Sequence, residues 1–392
     1  MKQIRTDLAM ESFDGSGGES LPGVQVSHWD VADVRMTEVL ITDPDAAQSL
    51  GKACGTYLTM ECGLLRERAP EARLAVAALL GEELGRMIQP DDSAPVLVVG
   101  LGNRFITPDS LGPRAVDRTL VTRHMAECGF ASANLRSVCA IAPGVLGITG
   151  IETTEMVESL VEKLRPRAIL CVDSLAARDS ARIGSTIQLS DAGIQPGAGV
   201  GNHRRPLTKE SLGVDVVTVG MPTVIYAAAL ARNAFAVLAA RDGSAPSEDA
   251  LDGMEREPFG QEIGEMIVTP LEIDAIVEDA SAITVSGINR ALHPSLSDVE
   301  IIYLCGFGGK LEVPAELDNY PVTSIGGSGL SWRDRLTSVV IPASVTSIGI
   351  GAFAECPANL TLTVGRDSYA AEYAAANGIS YTYSDANDWL YS

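Results

Sequence analysis

The chain has 392 residues, of which 46% are hydrophobic and 20% charged, so it can bury a sizeable core and is not intrinsically disordered. Its 29 Lys and Arg against 51 Asp and Glu leave a net charge of −22, which repels phosphate backbones and argues against direct binding of nucleic acid. No apolar run reaches the roughly 18 residues of a spanning helix, and Met1 to Asp7 lack an apolar signal core, so neither a membrane span nor secretion is expected.

Residues 1–20 are polar, with Gly15-Ser16-Gly17-Gly18 near their end, and read as a mobile arm. Val34 to Thr42 alternates and predicts a strand, and the Ala, Leu and Glu spacing from Glu71 to Ile88 predicts a helix. Pro95 to Gly100 is a short β-branched run suited to a parallel strand buried on both faces. A helix is predicted from Leu111 to Glu127 and another from Thr154 to Leu164. Ala168 to Asp173 and Val214 to Gly220 repeat the buried-strand pattern, and Thr223 to Leu238 predicts the next helix. Strands alternating with helices imply an α/β domain with a mostly parallel sheet and flanking helices.

Residues 242–262 are acidic and rich in Gly, Ser and Pro, and predict a loop. Pro270 to Ala280 predicts a helix with Thr269 as N-cap. Beyond residue 298, Val322-Thr323-Ser324-Ile325-Gly326 recurs as Val345-Thr346-Ser347-Ile348-Gly349, an offset of 23 residues that falls within the leucine-rich-repeat range. The expected organisation is an arm over 1–20, an α/β domain over 21–297, and a small solenoid over 298–392 capped by Tyr369 to Tyr383.

The seven Cys form no Cys-x-x-Cys pair and read as reduced, mostly buried thiols. The four His, at 28, 124, 203 and 293, form no His-x-x-x-His pair, which excludes a zincin, and no Gly-x-Ser-x-Gly elbow occurs. Gly100-Leu101-Gly102-Asn103 follows a strand, but Phe105 stands where a dinucleotide fingerprint needs its third glycine. It reads as a tight turn at the strand's C-terminal edge.

Two aspartates stand out. Asp109 precedes a predicted helix, where N-capping is its ordinary role. Asp173 ends a hydrophobic strand, where pairing with Arg178 would satisfy it. Both fall at the C-terminal edge of predicted parallel strands, where open α/β sheets place ligands. Brought together, two carboxylates share a proton, one activating water and the other polarising a carbonyl. The same pair could instead hold a divalent metal through oxygen ligands.

An ordered set of motifs then gives the chain a family resemblance. It includes Ile4-Arg5-Thr6-Asp7-Leu8-Ala9, Gly55-Thr56-Tyr57-Leu58-Thr59, Val98-Val99-Gly100-Leu101-Gly102-Asn103 and Thr107-Pro108-Asp109-Ser110-Leu111-Gly112-Pro113. Asp173-Ser174-Leu175-Ala176-Ala177-Arg178, Pro196 to Asn202 and Gly287 to Pro294 follow in the same order. From Ile4 to about Pro294 the chain resembles the germination proteases, endopeptidases that degrade small acid-soluble spore proteins. The resemblance implies a fold similar to hydrogenase maturation proteases, a homotetramer, and a location in the cytoplasm of forespore and spore core. It implies a zymogen with a propeptide of about residues 1–7, cut near Asp7-Leu8. It places the catalytic pair on Asp109 and Asp173, with no resident cofactor unless that pair holds a metal. Asn103, Arg178, Asp191 and Asn202 fall at substrate-binding or supporting positions.

The family usually has Asp-Thr-Gly where this chain has Asp191-Ala192-Gly193, and an acidic residue where this chain has Tyr226. Those departures allow an alternative, a catalytically weakened homologue that binds a partner through its tail. The tail itself resembles BspA-like leucine-rich repeats, with a partner the sequence does not name.

Overall fold

The computed structural model describes residues 6–16, 21–89, 94–124, 135–196, 205–241, 243, 246–247, 250–251, 264–294, 310–313, 315–317, 320–325, 336–354 and 356–385. The chain divides into two units, Met1–Ser295 and Leu296–Ser392.

The first unit is built on a nine-stranded sheet. Its strands are β1 (Val24–Val31), β2 (Val34–Ile41), β3 (Gly55–Glu61), β4 (Val96–Gly100), β5 (Val138–Ile141), β6 (Ala168–Ala177), β7 (Thr186–Ser190), β8 (Asp215–Tyr226) and β9 (Ile267–Val268). The order is β1-β2-β3-β7-β8-β6-β4-β5, with β9 on the far end of β8. β5, β4, β6 and β8 are mutually parallel. β1, β2, β3 and β7 pair antiparallel, and β7 joins β8 antiparallel. The unit is thus mixed α/β with a parallel centre.

The helices are α1 (Ala9–Gly15), α2 (Pro44–Leu50), α3 (Pro70–Ile88), α4 (Leu111–Val116), α5 (Thr153–Leu164), α6 (Ala227–Arg241) and α7 (Ile273–Leu292). β4 is buried at all five residues, as its unbroken apolar run demands.

Several elements depart from their sequence patterns, each for a tertiary reason. The first residues are not a loose arm over their described part. Leu8 and Ala9 are fully buried, and α1 packs beside β2 and the end of β6 in one apolar cluster. α4 ends at Val116 rather than near residue 127, because the N–H of Leu120 turns away to Asn289 Oδ1 at 3.0 Å. Thr223 to Tyr226 extend β8 instead of opening α6, since this β-branched and aromatic run pairs with both β6 and β9. α7 runs twelve residues past its expected end at Ala280. Its small residues let it approach α3: a Cβ on Gly287 would lie 2.6 Å from Leu80, and one on Gly81 2.7 Å from Arg290. Thr269 does not cap α7; its hydroxyl donates to the Thr223 carbonyl at 3.0 Å.

The second unit holds β10 (Lys310–Glu312), β11 (Glu316–Leu317), β12 (Tyr320–Pro321), β13 (Ser324–Ile325), β14 (Ser338–Ile341), β15 (Ser347–Ile348), β16 (Thr361–Val364), helix α8 (Tyr369–Ala376) and β17 (Ser380–Tyr383). β10, β14, β16 and β17 form one parallel sheet, while β13 pairs with β15 in parallel. Ser324 aligns with Ser347, and Ser338 with Thr361, so successive strands stack at the 23-residue spacing seen in the sequence. Val339, Ile341, Val345, Leu362 and Val364 form the core.

Candidate active site

The site begins where β4 ends. The Leu101 N–H continues the ladder to the Val172 carbonyl at 2.8 Å. The Gly-x-Gly at this turn serves close packing. A Cβ on Gly100 would lie 2.2 Å from the Gly112 carbonyl oxygen, and one on Gly102 2.1 Å from that of Asp109. Gly102 also sits at φ +107°, a conformation that L side chains rarely adopt.

Asp109 lies in a 3-10 turn, Thr107–Asp109, and is not the N-cap of α4; Ser110 holds that position. The Asn103 N–H donates to Asp109 twice, to its carbonyl oxygen at 2.9 Å and to Oδ2 at 2.8 Å. Asn103 in turn accepts the Phe105 N–H on its side chain at 3.0 Å. Asn103 and Asp109 thereby brace one loop.

Asp173 sits inside β6, in register with Gly220 of β8, and is 8% exposed. The Ser174 N–H donates to its Oδ1 at 2.9 Å. Burial pushes its carboxyl well above the ordinary value of 3.8, and the negative charges of Asp109 and then Asp7 push the same way. Burial thus favours the protonated form of the Asp173 carboxyl.

Asp7 enters the same cavity from the chain's beginning. Its N–H donates to the Ala176 carbonyl at 2.9 Å, and its Oδ2 accepts from the Ala176 N–H at 2.8 Å. Lys52 donates to the Thr6 carbonyl at 2.8 Å. Burial raises the Asp7 carboxyl and lowers the Lys52 ammonium, while the attraction between them opposes both shifts. Glu11, 3% exposed, accepts from the backbone N–H groups of Arg178 (2.7 Å) and Asp179 (2.9 Å) and pairs with Arg182 at 2.8 Å. α1 is thus tied to the chain that leaves β6.

Asp7, Lys52, Asn103, Asp109, Asp173 and Gln188 share one cavity of about 580 Å³. Neither His nor Cys is among its lining residues. Of the described Cys, Cys62 and Cys171 are buried and Cys54 is exposed, all as free thiols. Asp191 is outside the lining; its Oδ1 takes the Thr56 N–H at 2.7 Å and so fastens the start of β3. Arg178 is buried without lining the cavity. Ala192 lines it, Tyr226 is buried in the cluster under α1, and Asn202 lies outside the described residues.

The sequence did not single out Lys52, Glu11 or Gln188. Gln188 gave no local signal; only the structure shows that it lies in the run Thr186 to Ser190, whose five residues are all buried. Among the described residues, no group of three or more His, Cys, Asp and Glu side chains is placed to hold a metal ion. No helix among them is long and apolar enough to cross a membrane.

A family model described as germination protease matches residues 5–250. The germination protease of Clostridium tetani (strain Massachusetts / E88) is 36% identical over 311 residues, covering 75% of this chain and 96% of the relative. That of Clostridium acetobutylicum is 38% identical over 324 residues, covering 77% and 98%. That of Bacillus mycoides (strain KBAB4) is 35% identical over 344 residues, covering 74% and 94%. The match takes in more than half of the chain, including Asp7, Asp109 and Asp173, so the chain belongs to the germination protease family, a family of peptidases.

Proposed function

We propose that the protein is an endopeptidase made as a zymogen, which starts the breakdown of small acid-soluble spore proteins when spores germinate. The observation that carries this reading is the pair of carboxylates, Asp109 in the turn after β4 and Asp173 within β6, lining one cavity with Asp7. Asp109 in its ionised form takes a proton from water as the water oxygen attacks the scissile carbonyl carbon. Asp173 in its protonated form donates toward the carbonyl oxygen. When the intermediate collapses, the proton held by Asp109 passes to the leaving amine. The raised Asp173 carboxyl supports this division of roles.

The zymogen state is the one in which Asp7 occupies the cavity, and cleavage between Asp7 and Leu8 releases it. The working form is a homotetramer in the forespore and spore core, and the second unit is a BspA-like repeat solenoid that binds a further partner. The mechanism uses the two carboxylates without a resident metal. The other use of the same pair, as ligands of a divalent ion, predicts activity lost on exhaustive chelation and restored by added metal.

The test is to incubate the full chain, and the chain lacking residues 1–7, with a small acid-soluble spore protein and follow cleavage by mass spectrometry. Cleavage by the shortened chain alone is expected. No cleavage by either folded form would overturn the reading in favour of a weakened homologue that acts by binding.

A further inference from the structure

We propose that Gln188 holds the substrate backbone at the bond to be cut, with its amide N–H as a donor to the scissile carbonyl. The inference rests on the peptidase reading for its chemistry, but the geometry belongs to the chain. Gln188 Nε2 donates to the Asp7 carbonyl oxygen at 3.1 Å, and Gln188 Oε1 accepts from the Ala9 N–H at 2.8 Å. One side-chain amide thus spans residues 7 to 9. Between its two contacts, the Leu8 N–H is held by Thr6 Oγ1 at 3.1 Å. Both polar groups of the Asp7–Leu8 peptide are therefore engaged, the carbonyl by Gln188 and the N–H within the segment itself.

The amide's orientation follows from chemistry. Reversed, it would set an oxygen against a carbonyl and an N–H against an N–H, and lose both bonds. The sheet explains why this residue is the one in reach. Gln188 pairs with Gly220, and Gly220 pairs with Asp173 in the next ladder, so the three form one row across β7, β8 and β6. Residues directly opposite in a sheet project from the same face, and two strand spacings separate the outer pair by about 10 Å. The Leu175 side chain packs over the middle residue, where a Cβ on Gly220 would lie 2.6 Å from it. Asp173 and Gln188 stand at either end of this row, and both line the cavity. Gln188 is 7% exposed, so its bonds to the segment form away from bulk water, where they are stronger.

A donor on the scissile oxygen gains strength as charge develops there, and loss of one such donor costs about 10²–10³ in kcat. Ala9 stays in the chain after a cut between Asp7 and Leu8, so its contact orients the Gln188 amide rather than the substrate. Two substitutions separate the contacts. Gln188→Glu keeps an oxygen for Ala9 and loses the donor; Gln188→Leu loses both.

The experiment measures kcat and KM on a small acid-soluble spore protein for parent and both variants. It also measures amide exchange of Ala9 in the full chain with residues 1–7 in place, with thermal unfolding as the check on folding. Gln188→Glu is expected to lower kcat about a hundredfold with little change in KM. Its Ala9 exchange should stay near the parent's. Gln188→Leu is expected to lower kcat likewise and to speed Ala9 exchange by at least about fivefold. If the parent cleaves nothing while exchange divides the variants in this way, the backbone clamp stands and the peptidase reading falls. Folded variants with kcat within about threefold of an active parent would overturn the proposal. So would a folded Gln188→Leu with Ala9 exchange unmoved.

Discussion

The parallel and antiparallel halves of the large sheet bring different chemistry to one cavity. β4 and β6, in the parallel half, carry or precede the carboxylates Asp109 and Asp173. β3 and β7, in the antiparallel half, are flanked by or contain the groups that hold peptide, Lys52 and Gln188. The difference has a physical basis. Parallel strands converge with their C-terminal ends on one edge, where the loops after them can gather ionisable groups. An antiparallel strand offers whole side chains along its length, and so grips an extended segment.

That division can be tested, and the largest effect belongs to the parallel half. Asp109→Asn and Asp173→Asn should each lower kcat on a spore-protein substrate by about 10³-fold or more while the chain stays folded. Undiminished cleavage by both variants would move the chemistry elsewhere. Next comes the seam between the segment and the sheet. Leu8 is fully buried, so Leu8→Ala should destabilise the first unit by about 2–5 kcal/mol in urea unfolding. A loss below about 0.5 kcal/mol would mean that the segment is only loosely docked.

Gly102→Ala should cost about 3 kcal/mol, since it combines a positive φ with a Cβ 2.1 Å from the Asp109 carbonyl oxygen. Activity should fall with it, because the same loop holds Asp109.

Asp173 gives a pH test with a definite sign. Its folded-state pKa lies well above 3.8, so the folded chain holds that proton more tightly than the unfolded chain. Stability from this group is full below pH 3.8 and is lost as pH rises through the raised value. Asp173→Asn should therefore gain stability over the parent as pH climbs from acid toward neutral. A difference independent of pH would show that Asp173 is not held protonated. The smallest effect belongs to the exposed Arg104–Asp117 pair at 2.7 Å, where Arg104→Ala should change stability by less than about 0.5 kcal/mol.

The parts of the fold legible in the sequence are those with strong local patterning. The all-apolar runs of β4 and the first half of β6 read as buried strands, and the spacing of α3 and α5 read as helices. β3 and β7 were not legible, because both mix Thr, Gln, Ser and Glu into strands whose polar residues are buried by partners distant in sequence. The start of α6 was misread because Thr223 to Tyr226 fit either state until β6 and β9 lie beside them. In the site, Asp173 was legible as a carboxylate after an apolar run, although β6 continues past it to Ala177, and Asp109 as one before a helix, although it lies in a turn nine residues beyond β4. Gln188 was not, since a neutral polar residue in a short strand carries no local sign of what it touches.

By itself the amino-acid sequence determined the parallel centre of the α/β unit, the 23-residue spacing in the tail, the two aspartates and the family resemblance. Each of these is encoded by residues close together in the chain or by motifs in a fixed order. Only the tertiary structure decided that Asp7 lies in the cavity of those aspartates, and that an amide some 180 residues further on holds Asp7 and Ala9. Burial of Leu8 and Ala9 is what draws the segment in, and that burial depends on an apolar surface assembled from β2, β6 and β8, which no local stretch of sequence contains.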